Sequence, residues 1–276
     1  MPSELSSLYK NKPVVLWVED TLTRAWLGAL WQDADIGLLV AGSNNAVFAA
    51  VRDARAHGHG NVFGFRDRDF KGSNQANWLN LAKNPTVFIP DAFEAENYLL
   101  DFAGLAALGL SHNPQQRTAG DLQARAHARA AESLWWMAAK ATVADAQEAI
   151  VGDFPPPPSL TNPPTLNSIA DAQASLEGLL LQGAWGSRVK QWVPALDAAW
   201  IASRLTAHEA TLQHQLGNGD WRWSWSGKEV FSAVAGHLQT PVTDLAKGLA
   251  AHQRQTQTVA QALLDLRTAL RSRVGI

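Results

Sequence analysis

Four short apolar runs in the N-terminal third limit the folds open to this chain. They lie at 13–18 (PVVLWV), 36–40 (IGLLV), 62–65 (VFGF) and 86–89 (TVFI), and stretches of helical periodicity separate them. Runs of this kind, rich in β-branched and aromatic residues and lacking a polar face, are strands buried on both sides. After the first run, Leu22, Trp26, Leu27 and Leu30 recur at intervals of three and four, with Thr21 or Thr23 as the expected cap. After the second, the turn Gly42-Ser43-Asn44 leads into a helix expected over 45–57, with Val47, Phe48 and Val51 facing inward. A further helix is expected to begin near Phe93, after the fourth run. Strands alternating with helices form parallel βαβ units with right-handed crossovers, so an α/β fold follows.

In such a sheet, ligands sit beyond the carboxyl ends of the strands. Acids occupy those ends here: Glu19 after the first strand, Asp67 and Asp69 after the third, and Asp91 after the fourth. In the stretch NVFGFRDRDF, strand alternation predicts that Asp67 and Asp69 point the same way. Clustered carboxylates repel one another, and a divalent cation relieves the repulsion by favouring their charged forms. Mg²⁺ takes oxygen ligands of this type, and such an ion polarises phosphoryl oxygens and lowers the pKa of bound water. Glu19 could instead pass protons as a general acid or base. The plainer alternative is that each acid is a solvated strand-end residue.

Composition sets the outer bounds. The chain has 276 residues, 46% hydrophobic and 17% charged, enough for a sizeable core. It has no cysteine, which excludes disulfides and thiolate chemistry. No run of eighteen apolar residues occurs, so a cytoplasmic, non-membrane protein is expected. The net charge of −2 counts against a dedicated nucleic-acid binder. Even so, the C-terminal stretch sets Arg254, Arg267, Arg271 and Arg273 against Asp265 alone.

Beyond residue 102 the strand pattern gives way to helical sequence, which divides the chain into an α/β domain at 1–102 and a mainly helical one at 103–276. Helical periodicity covers 121–149, 169–181, 188–205, 207–216, 228–238 and 240–273. A connector at 152–167 contains six prolines and reads as polyproline II around its PPPP run. Trp221, Trp223 and Trp225 alternate in a loop, a pattern that suits either packing or stacking on bases. His57-Gly58-His59-Gly60 reads as a turn. No phosphate-binding G-x-x-x-x-G-K-[ST] motif is present, and no His–Asp pair is placed near Ser43 for nucleophilic catalysis.

VLWVED followed by VFGFRDRDF, strand–Glu–helix and then strand–DxD, resembles a Toprim domain, the metal-binding fold of topoisomerases, primases and overcoming-lysogenization-defect nucleases. PDAFEAENYLL resembles the D-x-x-D-x-E-N segment of Toprim-like proteins encoded beside ABC-type ATPases in bacterial anti-phage loci. WSGKEVFSAVAGHL resembles a helix start near the end of that same family, whose nearest comparison is the effector of PARIS-type systems. The motifs span 14–100 and 226–238; between them the likeness is one of helical character only. The resemblance implies a Toprim-like parallel sheet, Mg²⁺ or Mn²⁺ as cofactor, and metal-dependent cleavage of nucleic acid, tRNA or DNA. It also implies an anti-phage setting, an ABC-type ATPase partner and a homo-oligomer. Glu19, Asp67, Asp69 and Glu96 would be the catalytic acids, joined by Glu94 as a metal ligand, while Lys228, Arg68 and Lys71 would bind substrate. Glu94, where an Asp is more usual, and the bulky Arg66 and Arg68 around the DxD depart from the pattern.

Several alternatives stay open on the residues themselves. Lys228 either neutralises a phosphate or caps a surface helix, Arg68 either touches phosphate or is solvated, and Glu96 is also favoured by the helix dipole alone. The acid pair in VLWVED also resembles the opening of a signalling receiver with Asp67 as phospho-acceptor, although the Met-Pro and Lys-Pro elements of receivers are missing. A Toprim-like scaffold that binds a partner without catalysis is the third expectation.

Overall fold

The structure, a computed structural model, describes residues 7, 9–70, 85–109, 118–148, 160, 166–182 and 184–276. Lys71, the helix-like stretch at 78–82 and most of the proline-rich connector lie outside the described residues. The chain divides into two compact units: residues 1–125 together with 227–276, and residues 126–226. This differs from a division along the chain at 102, because the last fifty residues return to the unit that contains the sheet.

In that first unit, β1 (Val14–Val18), β2 (Ile36–Val40), β3 (Val62–Phe65) and β4 (Val87–Phe88) form one parallel sheet in the order β2-β1-β3-β4. Val15 pairs with Gly37 on one side and with Val62 on the other, and Gly64 pairs with Val87. The central strands are buried on both faces, as their lack of a polar face requires. An α/β class with a helical C-terminal region is therefore observed.

Helix α1 (Thr21–Trp31) starts at Asp20, not at either threonine: the Asp20 carboxylate accepts the Thr23 N–H at 2.8 Å. Helix α2 (Asn44–Ala56) is capped by Ser43, which accepts the Ala46 N–H. Its Val47, Val51 and Ala54 pack with Tyr9, Val15, Val62 and Val87 to form the core under the sheet. Phe48, expected inward, is 45% exposed. The stripe that meets the sheet runs through 47, 51 and 54, and Phe48 falls beside it.

After β4 the expected helix near Phe93 is a 3-10 turn (Ala95–Leu99), followed by α3 (Phe102–Ala107). Helix α4 (Ala119–Glu132) contains the boundary between the units. The second unit is helical: α5 (Leu134–Glu148), α6 (Ile169–Leu181), α7 (Ala184–Val189), α8 (Ala198–Asn218) and the single turn α9 (Trp221–Ser224). Helices α5, α6 and α8 pack against one another. The helix expected over 188–205 is interrupted: α7 ends at Val189, Pro194 follows, and α8 begins anew under the Asp197 cap. It then runs unbroken through the segment expected as a separate helix. Trp221 and Trp225 are buried, and Trp225 Nε1 donates to Ser133 Oγ at 2.8 Å, so these two rings serve packing while Trp223 is exposed.

The first unit is completed by α10 (Gly227–His237), α11 (Val242–Thr256) and α12 (Gln261–Ser272). Helix α10 lies on the 3-10 turn, and α11 packs along α1 with Leu245, Ala246 and Leu249 buried. The segment expected as one helix over 240–273 breaks at Gln257, whose left-handed φ of 58° ends α11. The basic residues of this segment are engaged locally. Arg267 and Arg271 bind Asp33 at 2.8 and 2.9 Å, Arg271 also binds Asp35, and Arg254 donates to the Ala29 carbonyl. No helix among the described residues is long and apolar enough to cross a membrane.

Gly64 sets the spacing between α2 and the sheet. A Cβ there would lie 2.6 Å from Val47 Cγ1 and 3.1 Å from Val51 Cγ2. Gly64→Ala is expected to destabilise the protein by about 1–3 kcal/mol through overpacking, measured as a lower urea midpoint with an unchanged slope.

Candidate active site

The carboxyl ends of β1 and β3 are adjacent, and this brings Glu19 and Asp67 into contact across the sheet edge. The Asp67 N–H donates to Glu19 Oε1 at 2.7 Å. The Asp67 carboxylate is itself buried and engaged at both oxygens. Oδ1 accepts the Ala95 N–H at 2.8 Å, and Oδ2 accepts from Lys228 Nζ at 3.0 Å. Asp67 thus joins three segments far apart in sequence: the β3 end, the 3-10 turn and the start of α10.

Asp69 does not continue the strand alternation. Its φ is +54°, a left-handed conformation that an aspartate tolerates better than most residues. Its N–H donates to the Phe93 carbonyl at 2.9 Å, and its Oδ2 accepts from Asn44 Nδ2 at 2.7 Å. The two aspartates therefore have separate partners, with Asp69 held toward the first turn of α2.

Glu94 and Glu96 have different surroundings despite lying two residues apart. Glu94 Oε2 accepts the backbone N–H of Lys228 at 2.9 Å, and the Glu94 side chain forms a capping box with Asn97 at the 3-10 turn. Its carboxylate anchors the start of α10. Glu96 is 1% exposed, and neither of its oxygens has a hydrogen-bond partner; Lys228 Nζ lies 3.9 Å from Oε1.

Lys228 is the hub of the cluster. Besides Asp67 and Glu96, its ammonium pairs with Asp20 at 3.1 Å. Gly227 permits this approach: a Cβ there would lie 2.6 Å from the Asn97 nitrogen and 2.8 Å from the Glu96 carbonyl carbon. Lys228 therefore points into the acids, where the sequence suggested a phosphate contact or a surface cap. Arg68 Nε donates to the Asp91 carbonyl at 3.0 Å. Asp20 and Asn44, neither of them singled out in the sequence as site residues, both belong to the cluster. Asp20 carried a signal in its place beside Glu19, whereas Asn44 looked like part of a turn.

The electrostatics follow from burial and crowding. Burial, then the charges of Asp67 and Asp69, push the Glu19 carboxyl up to about 8. Burial, reinforced by Asp67, raises Glu96 well above the carboxylate range. Burial works against the charge of Lys228, but Glu96, Asp67, Glu94 and Asp20 outweigh it and hold the ammonium protonated. Burial also opposes the charge of Asp20, yet Lys228 and the Thr23 N–H bring its pKa below the ordinary value.

The donor set is chemically suited to a hard divalent cation: it consists of carboxylate oxygens, two of them, on Glu96, left without partners. As the side chains stand, no group of three or more acidic or histidine residues among the described residues is close enough together to hold an ion. The positive charge at the centre of the cluster is the lysine's. No protein-family model and no curated protein matches the chain.

The raised pKa of Glu19 has a thermodynamic sign. Between pH 4.5, the ordinary value, and about 8, the folded state binds more protons than the unfolded state. This contribution to stability is complete below 4.5 and is lost as pH rises through 8. Glu19→Gln removes it, so the variant is expected to gain on the wild type across that window, on the order of 1–4 kcal/mol at pH 8. Urea titrations at a series of pH values test this, and parallel pH profiles for the two proteins would refute it.

Proposed function

We propose that the protein is a metal-dependent phosphodiesterase acting on nucleic acid, with its site at the carboxyl edge of β1 and β3. One observation carries the reading. Glu19, Asp67 and Asp69 are crowded at adjacent strand ends, where burial first, and then the charges of Asp67 and Asp69, push the Glu19 carboxyl up to about 8 despite Lys228 beside them. A cluster with more negative charge than its own cation neutralises is one that a divalent ion would stabilise.

In this reading Glu19, Asp67 and Asp69 hold Mg²⁺ or Mn²⁺, and Glu96 supplies a further carboxylate. The bound ion would polarise the scissile phosphoryl group and lower the pKa of a water molecule. Without the ion, the raised pKa keeps Glu19 largely protonated at neutral pH, and ion binding would release that proton. Lys228 holds Asp67 and Asp20 in place, and its ammonium offsets charge at the back of the site. Glu94 fixes the start of α10 and so fixes Lys228. The Toprim-like motifs extend the proposal to a nuclease of anti-phage defence that cuts tRNA or DNA under the control of an ABC-type ATPase, with self-association as part of its assembly.

A second reading has an observation in its favour. An acid pair at the end of β1, Asp67 at the end of β3, a sheet ordered β2-β1-β3-β4 and a lysine ammonium 3.0 Å from Asp67 together match the arrangement of a receiver's phospho-acceptor site. Against it, the Met-Pro and Lys-Pro elements of receivers are missing from the sequence after Asp67.

Incubation with tRNA, single-stranded DNA and plasmid in Mg²⁺ or Mn²⁺ separates the two. Cleavage is expected for the wild type, with a loss of about a hundredfold or more in Asp67→Asn and Glu19→Ala, the scale of removing a charge-stabilising group. Equal cleavage by all three proteins would overturn the nuclease reading. Stable labelling of Asp67 by acetyl phosphate would establish the receiver.

A further inference from the structure

Arg66 is the residue of this region that the proposed chemistry leaves unused. It lies between Phe65, the last residue of β3, and Asp67, and its side chain is 4% exposed. A buried guanidinium is costly unless its donors find acceptors. Arg66 Nε is buried without a hydrogen-bond partner, and among the described residues no carboxylate lies within ion-pair distance of the group. The charges of Glu19, Asp69 and Asp67 act on it only from farther away.

What Arg66 does meet is Phe48. Its Cζ lies over the Phe48 ring, 4.7 Å from the centroid. Phe48 is on the second turn of α2 and is 45% exposed, so the buried guanidinium is covered by a ring that is itself open to solvent. Asn44, in the first turn of the same helix, uses its Nδ2 to bind Asp69, while its Oδ1 is buried without a partner. A guanidinium whose buried Nε has no hydrogen-bond partner, a helix N-terminus and an exposed aromatic ring thus adjoin the acids of the proposed centre. Between them they suit two parts of one ligand, a phosphate and the base beside it. Guanidinium forks bind phosphate oxygens in pairs, helix N-termini favour anions, and an open ring stacks on a base.

We propose that Arg66 and Phe48 form a nucleotide subsite beside the acid cluster, in which Arg66 takes a backbone phosphate and Phe48 stacks on the base next to it. Stacking on an exposed ring requires a base that has left the helix stack, so the substrate class is single-stranded or unpaired nucleic acid. The subsite rests on the nuclease reading and narrows it. It also gives a function to one of the two basic residues that depart from the Toprim-like pattern. Arg68, bound to the Asp91 carbonyl, does not share this position.

The test measures binding apart from cleavage. A fluorescein-labelled oligonucleotide, single-stranded or annealed to its complement, is titrated with wild type, Arg66→Gln, Arg66→Lys and Phe48→Ala, first in EDTA and then in Ca²⁺, at several salt concentrations. The single strand is expected to bind tighter than the duplex. Arg66→Gln should weaken it about tenfold and lower the slope of log affinity against log salt by about 0.7, the value for one lost phosphate contact on a single strand. Phe48→Ala should cost about tenfold with the salt slope unchanged, because it removes stacking alone. Arg66→Lys should keep the slope and lose part of the affinity. Urea midpoints measured in parallel separate a folding defect from a binding one, and Phe48→Ala, at an exposed position, guards against loss of fold in the arginine variants. Unchanged affinity and slope in Arg66→Gln and Phe48→Ala, a preference for duplex, or no binding by the wild type in either medium would each overturn the subsite. If the wild type binds as described but never cleaves in Mn²⁺, the nuclease reading fails and the subsite stands.

Discussion

The contact between Lys228 and Asp67 is the interaction on which the rest of this site depends. These residues are 161 positions apart, and their 3.0 Å ion pair ties the start of α10 to the end of β3. Around it, Glu94 holds the Lys228 backbone, Asp20 shares the ammonium, and Ala95 donates to the second oxygen of Asp67. Removing the lysine would leave the buried Asp67 carboxylate without its ion-pair partner, the circumstance in which breaking a buried pair is most costly. This also explains why the C-terminal helices belong with the sheet: the lysine that neutralises the sheet-edge acids is at the head of α10.

The cluster is built for excess negative charge. The Lys228 ammonium is shared among Asp67, Asp20 and, at longer range, Glu96. Glu19 is left with a pKa near 8 and Glu96 with unpartnered oxygens. Stability alone would favour fewer acids here, since each buried carboxylate beyond the first raises the cost of the next. Strain and charge of this kind concentrate where a site binds something. Asp69 adds to it, because its left-handed backbone is retained at a position where a glycine would be easier.

Much of the α/β half was legible in the sequence because its strands are buried on both faces and so read as unbroken apolar runs. The ends of β2 and β3 follow directly from IGLLV and VFGF. The acids at the strand ends were legible for the same reason, since topology alone places them at one edge. Other features depended on long-range packing that no local pattern records. Phe48 has the spacing of a core residue yet lies beside the buried stripe of α2. Asp69 looked like a partner of Asp67 by strand alternation, but the chain turns at that residue. Lys228 read as either a phosphate contact or a surface cap because its acidic neighbours come from other segments. The break at Gln257 has neither glycine nor proline to announce it.

The central claim is that these acids hold a divalent cation, and direct binding of Mn²⁺ tests it without reference to any substrate. Titration of the protein with Mn²⁺ at pH 7, followed by the electron paramagnetic resonance signal of the free ion and by proton release in two buffers, measures both occupancy and linkage. The account predicts saturable binding with release of protons, because the Glu19 carboxyl, pushed up to about 8, must ionise to become a ligand. It also predicts loss of that binding in Asp67→Asn. Absence of Mn²⁺ binding by the wild type, or binding unaltered in the variant and without proton release, would contradict it.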